Sequence, residues 1–144
     1  MFNPGVLAIL SGLSAQACKV LIALLRGRWQ PQLFFSNGGM PSSHSATVMT
    51  LTLEVGRREG YASSLFSLVL VFGLFVIMEA TGLRQEMGQQ AALLNELMDG
   101  VLNRQKVHPR RLRELVGHTW TEVLGGLIFG TGFFFLLHAL CRFP

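Results

Sequence analysis

Three stretches of this chain, residues 1–18, 60–78 and 123–141, contain no Asp, Glu, Lys or Arg. Each approaches the roughly 20 residues a helix needs to cross a hydrocarbon core. A water-soluble fold would have to wrap three such segments in polar sequence, and little is left to do so. Only 14% of the 144 residues are charged and half are hydrophobic, against about 25% charged in an average soluble protein. The mean hydropathy is +0.44, which also excludes disorder, since disorder needs low hydrophobicity and high net charge. Twelve Lys and Arg against eight Asp and Glu leave a net +4. Those charges fall between apolar runs rather than in a basic patch, so no nucleic-acid partner is expected. The leading MFNPG has no basic region of the kind that opens a secretory signal. The expectation is an all-α, polytopic membrane helix bundle forming one domain over residues 1–144. Membrane helices are expected near 5–25, 42–57, 63–83 and 119–141.

The second of these, SSHSATVMTLTLEV, is short and rich in hydroxyls. It must be shielded by its neighbours or enter the membrane only part way. Residues 84–117 carry six Lys/Arg and four Asp/Glu. Within them Met87, Ala91, Leu94, Leu97, Met98, Val101 and Leu102 recur at steps of three and four. That pattern predicts an amphipathic helix over 86–104, lying on the membrane or against the bundle and ended by His108-Pro109. Arg26 and Arg28 after the first helix, and six basic residues in the long connector, would lie on one side. The excess of basic residues in short loops makes that side cytoplasmic. Cys18 and Cys141 fall toward opposite faces and read as buried thiols. His138 reads as interfacial.

Three polar clusters map to the expected cytoplasmic face. The first is GGMPSSHS, residues 38–45. Two glycines allow a tight turn, Pro41 suits a helix start, and Ser42 and Ser43 can cap a helix whose free N–H groups suit an anion. His44 would sit in the first turn. The alternative is an ordinary capped helix containing one histidine. The second cluster is HTWTE, in which His118 and Glu122 share a helix face at i and i+4. A carboxylate beside an imidazole fixes its tautomer and prepares the other nitrogen for attack or proton transfer. A helix-start salt bridge would look the same. The third is Lys19 and Arg26, two helical turns apart. Lys19 either snorkels to the interface or forms a cationic wall. Two histidines, a carboxylate and several cations at one face describe phosphoryl transfer to water without a metal: cations hold phosphate oxygens, one histidine attacks and another protonates the leaving group.

Lys19-x6-Arg26, Pro41-Ser42-Ser43-His44 and His118-x3-Glu122 resemble the three motifs of the type 2 phosphatidic acid phosphatase and vanadium haloperoxidase superfamily. GGMPSSHSA, EATGLRQEMGQQAALLNEL and LRELVGHTWTEVLGG are similar to the divergent branch of that superfamily, made of small membrane proteins, over nearly the whole chain. The resemblance implies His118 as nucleophile forming a phosphohistidine, Glu122 as its orienting and charge-stabilising partner, and His44 as general acid for the leaving group. It implies that Lys19, Arg26, Ser43 and an arginine before His118 hold the phosphate. Gly27 stands in the place of the motif proline, Ser43 in that of the glycine and Glu122 in that of the aspartate. Leu112 occupies the position of the arginine six before His118; Arg113, one residue on, is the expected substitute.

Glu79, followed by Gly82 and Arg84, matches an acid and a Gly-x-Arg of the divergent branch. Glu79 either pairs structurally with Arg84 or acts as an additional acid/base or cation ligand. No cofactor is expected, apart from a divalent cation at Glu79. Gly126-x3-Gly130 permits close helix packing, within the fold or in a homodimer. The expected function is an integral membrane lipid phosphatase of bacterial inner-membrane type, inhibited by vanadate. Its substrate would be phosphatidic acid, phosphatidylglycerol phosphate or a polyprenyl diphosphate. Two rivals are a non-catalytic lipid-phosphate-binding protein and a small transporter subunit with Glu79 and Lys19 as intramembrane charges.

Overall fold

A computed structural model describes residues 3–27, 29, 31–35, 39–102 and 119–141. The described residues form four α-helices and one short 3-10 helix, with no strand among them. The α-helices are α1 (Pro4–Leu25), α2 (Ser43–Glu59), α3 (Ser64–Leu102) and α4 (Trp120–Cys141), and the 3-10 helix is Pro31–Phe35. α1, the first part of α3 (Ser64–Gly82) and α4 are long and apolar enough to cross a membrane. Large apolar side chains such as Leu21, Phe72, Phe75, Ile128 and Phe135 point away from the bundle. Such a surface suits lipid rather than water.

α2 is the centre of the bundle and packs on α1, α3 and α4. Its 17 residues span about 26 Å, slightly less than the roughly 30 Å hydrocarbon core. In lipid its polar groups must find partners inside the protein, and its buried hydroxyls and Glu54 do. Ser45, Thr50, Thr52 and Glu54 are all buried. Thr50 donates to the Gly130 carbonyl (3.1 Å) and lies 2.8 Å from the Ser11 hydroxyl. Thr47 and Thr52 donate back to the carbonyls of Ser43 and Val48, the usual way a hydroxyl is satisfied inside a membrane helix. Near its far end Glu54, fully buried, meets Arg58 and His138. His138, expected at the interface, is thus tied into the bundle by a residue 84 positions away.

Contacts fix the relative directions. Ser11 meets Ala46 and Thr50 while Lys19, later in α1, passes Gly39 just before α2, so α1 and α2 are antiparallel. Ser42 meets Glu122 while Glu54 meets His138, so α2 and α4 run parallel. Their close approach rests on two glycines. A Cβ on Gly126 would collide with the Ser42 carbonyl, and one on Gly130 would come within 2.6 Å of the Ala46 carbonyl. The Gly126-x3-Gly130 face is therefore occupied within the chain.

The largest departure from expectation is α3. The sequence predicts a membrane helix over 63–83 and a separate amphipathic helix over 86–104, whereas one helix of 39 residues covers both. At 1.5 Å per residue its 39 residues correspond to about 58 Å of helix, and its last 20 residues continue the helix beyond the span without a break. The change in composition near Arg84 marks where the chain leaves the apolar layer, not where the helix breaks. No proline lies between Ser64 and Leu102, and single glycines are tolerated in a helix at about 1 kcal/mol each.

Candidate functional site

The C-terminal half of α1, the turn before α2 and the first turn of α4 meet at one end of the bundle. Lys19 is 4% exposed, so its ammonium does not snorkel. Its aliphatic stem runs past Gly39, whose backbone φ of +93° favours glycine. Gly39 links Lys19 to the Glu122 carboxylate, since the lysine stem passes beside it and its amide donates to Glu122. Glu122 in turn binds the turn before α2: Oε1 accepts from the Gly39 amide at 3.2 Å, and the Glu122 carbonyl accepts from the Ser42 amide at 3.1 Å.

Glu122 has a second engagement. Its Oε2 accepts from the Thr119 amide at 3.1 Å, while the Thr119 hydroxyl accepts from the Glu122 amide at 3.3 Å. This reciprocal pair is a capping box that starts α4. One carboxylate therefore caps α4, anchors Gly39 and faces Lys19. Ser42 is the N-cap of α2, accepting from the Ser45 amide at 3.3 Å and from the Ser45 hydroxyl at 3.1 Å. Ser43 is the first helical residue rather than a cap. A buried ammonium beside a helix N-terminus favours an anion at this end of the bundle.

Two cavities flank the cluster. One, of about 430 Å³ between α1, α2 and α3, is lined by Gln16, Ser43, His44 and Thr47 and by apolar walls that include Leu51, Phe72 and Val76. The other, of about 510 Å³, lies between α1, the start of α2 and α4, and its lining includes Arg26, Pro41, Gly125 and Phe129. The expected catalytic and phosphate-binding residues are thus divided: Ser43 and His44 open to one side of the cluster and Arg26 to the other, with Lys19 and Glu122 in the cluster itself. Cys18 also lines the second cavity. Glu79 is exposed on α3 and shares no described contact with Lys19, His44 or Glu122. His118, Arg113 and the Arg84 side chain lie outside the described residues, as does the side chain of Cys141. Among the described residues no group of three or more His, Cys, Asp or Glu could hold a metal ion.

A family model described as the divergent PAP2 family matches residues 3–133. The chain belongs to that family. It is also 38% identical to the uncharacterized membrane protein YuiD of Bacillus subtilis (strain 168), over 78% of this chain and 80% of that one. No solved structure matches. With three apolar helices and a relative described as a membrane protein, this divergent PAP2 protein is an integral membrane protein.

Within the divergent PAP2 chain, sequence reasoning missed two contributors to the cluster. Thr119 was legible as the start of a Thr-x-x-Glu capping signature, here Thr119-Trp120-Thr121-Glu122. The Gly39 amide left no signal beyond the glycine pair itself, because an acceptor 83 residues away cannot be read from local pattern.

Proposed function

We propose that this protein hydrolyses a phosphomonoester or diphosphate on a membrane lipid through a phosphohistidine. The observation that carries the reading is the convergence of Lys19, the turn Gly39–Ser42 and Glu122 at one end of the bundle. These residues come from three segments that are far apart in sequence and correspond to the three motifs of the wider superfamily. The apolar cavity headed by Ser43 and His44 supports a lipid substrate, since it offers a hydrocarbon chain a place beside polar head groups.

In this reading Lys19, Ser43 and Arg113 hold the phosphate oxygens and offset the charge that builds on them, and Arg26, which lines the other cavity, must swing across the cluster to join them. A ring nitrogen of His118 attacks phosphorus. The bond from phosphorus to the lipid oxygen breaks, and His44 gives that oxygen its proton. Water then attacks the phosphohistidine and gives a proton to His44, the phosphorus–nitrogen bond breaks, and His118 and inorganic phosphate are released. Glu122 supports His118 from its capping position, next but three in the chain. The excess of basic residues in the sequence flanking the site supports a cytoplasmic orientation. Glu79 stands apart as a structural acid of α3 or a cation ligand. A second reading, a lipid-phosphate-binding protein without turnover, is favoured by Leu112 standing where the superfamily has an arginine.

The test is phosphate release by the full chain in lipid nanodiscs, on phosphatidic acid, phosphatidylglycerol phosphate and undecaprenyl diphosphate. Release that is abolished by His118→Ala and by vanadate and survives EDTA is the expected result. Release abolished by EDTA would move Glu79 to a metal-binding role. Tight binding without release from any of the three would favour the non-catalytic reading. Cysteine labelling at Asn37 and Arg110 tests the orientation, and labelling of both from outside would invert it.

A further inference from the structure

The cavity between α1, the start of α2 and α4 is not the one to which Ser43 and His44 open. On α1 its lining is Cys18, Ile22 and Arg26, a stripe at steps of four that runs about 12 Å along the helix. On α4 it is lined by Ile128 and Phe129, with Gly125 leaving room for the Met40 side chain. Arg26, at one end, is the charged member of this lining. We propose that this groove seats one acyl chain of an anionic phospholipid of the surrounding bilayer, whose phosphate is held by Arg26. The seat exists whether or not the protein is a lipid phosphatase.

The charge pattern names the occupant. A groove that is apolar along its length and cationic at one end complements a molecule that is apolar along its length and anionic at one end. No carboxylate lines the cavity, and among the described residues the Arg26 side chain is exposed and forms no ion pair. Its guanidinium offers the fixed fork of donors that suits phosphate oxygens, and basic residues at the membrane surface attract anionic lipids.

Depth fits as well. The 22 residues of α1 span about 33 Å, slightly more than the roughly 30 Å hydrocarbon core. Arg26 follows as the C-cap, so it sits at the level of the head groups, where lipid phosphates lie. Both tryptophans of the chain mark the same level. Trp29 comes three residues after Arg26 and Trp120 opens α4; they are 69% and 72% exposed, as in the aromatic belt of a membrane interface. From Arg26 the stripe descends to Cys18 and covers most of the roughly 15 Å of one leaflet. The groove is open to the bilayer, since Ile128 is 67% exposed and Leu25 and Leu124 nearby are exposed too. A lipid held here keeps Arg26 on its own side of the cluster, so this role and the binding of a substrate phosphate alternate.

The test is photolabelling of the full chain in phosphatidylcholine nanodiscs that contain a minor fraction of phosphatidylglycerol with a diazirine midway along one acyl chain. Labelled positions are mapped by mass spectrometry of peptides. The expected result is label concentrated on Ile22, Ile128 and Phe129, displaced by unlabelled phosphatidylglycerol and not by phosphatidylcholine. Arg26→Gln should weaken this labelling about fivefold, the effect of one basic residue on an anionic lipid at the interface. Ile128→Trp fills the groove from an exposed position and should remove the label from Ile22. Phosphatidylcholine carrying the same diazirine should label the lipid-facing surface evenly, Phe72 and Phe75 of α3 included. Label that both lipids place alike, or that Arg26→Gln leaves unchanged, would mean ordinary boundary lipid and overturn the proposal. So would label confined to Leu51 and Val76, which puts the chain in the other cavity. No readout involves phosphate release, so failure here is distinct from failure of the phosphatase reading.

Discussion

Glu122→Asp restores the residue that the superfamily motif carries, and the geometry predicts that it weakens this protein. The glutamate spans two backbone donors, the Gly39 amide at 3.2 Å and the Thr119 amide at 3.1 Å. Removing one methylene retracts the carboxylate by about one carbon–carbon bond, about 1.5 Å. It can then follow one donor but not both, since a separation beyond about 3.5 Å is no longer a hydrogen bond. A bond to an ionised acceptor contributes about 1.5–3 kcal/mol, and the retracted charge also moves away from Lys19. The expected loss is about 2–4 kcal/mol, read by SDS-driven unfolding in mixed micelles. Thr119→Ala is the internal comparison: it removes one half of the capping box, leaves the Gly39 contact in place, and should cost about 1 kcal/mol. A Glu122→Asp protein within about 0.5 kcal/mol of wild type would refute the claim that the longer arm ties the start of α4 to the turn before α2.

Gly126→Leu should force α4 off the start of α2, because even a Cβ there meets the Ser42 carbonyl; an overpacking cost of about 1–3 kcal/mol or more in the same unfolding assay is expected, and a neutral effect would mean the helices are not in contact. Thr50→Val leaves the buried Gly130 carbonyl without its hydroxyl donor and should cost about 1–3 kcal/mol by SDS titration with little change in volume. Spin labels at Ser67 and Leu97, thirty residues apart on α3, should lie about 45 Å apart by pulsed EPR, and a markedly shorter distance would place a bend near residues 83–87.

The helix bounds were legible to within a residue or two because composition marks where apolar segments end, although among the described residues three helices rather than the expected four are long and apolar enough to cross a membrane, the hydroxyl-rich α2 not being one of them. The expected 5–25, 42–57 and 119–141 became Pro4–Leu25, Ser43–Glu59 and Trp120–Cys141. The same criterion misled at residue 84. There Arg84 and Glu86 end the apolar layer, and the helix, which depends on backbone propensity rather than on hydropathy, runs on to Leu102. The site was legible as a set of residue types but not as an arrangement. Lys19 allowed a snorkelling reading until its stem was seen against Gly39. Glu122 looked like a partner for His118, and its capping of Thr119 follows from a local signature overlooked beside that pairing. Glu54 and His138 each sat alone in a helix, and only the parallel packing of α2 and α4 joins them.

The account's central claim is tested most directly by trapping the phosphoenzyme. Full-length protein in nanodiscs is mixed with phosphatidic acid carrying a radioactive phosphate, quenched within its first turnover, and the protein-bound label is counted. The account predicts label that survives alkali, is lost in acid as a phosphohistidine must be, and is absent from His118→Ala. Phosphate released from the lipid with no such label, or label undiminished in His118→Ala, would contradict it.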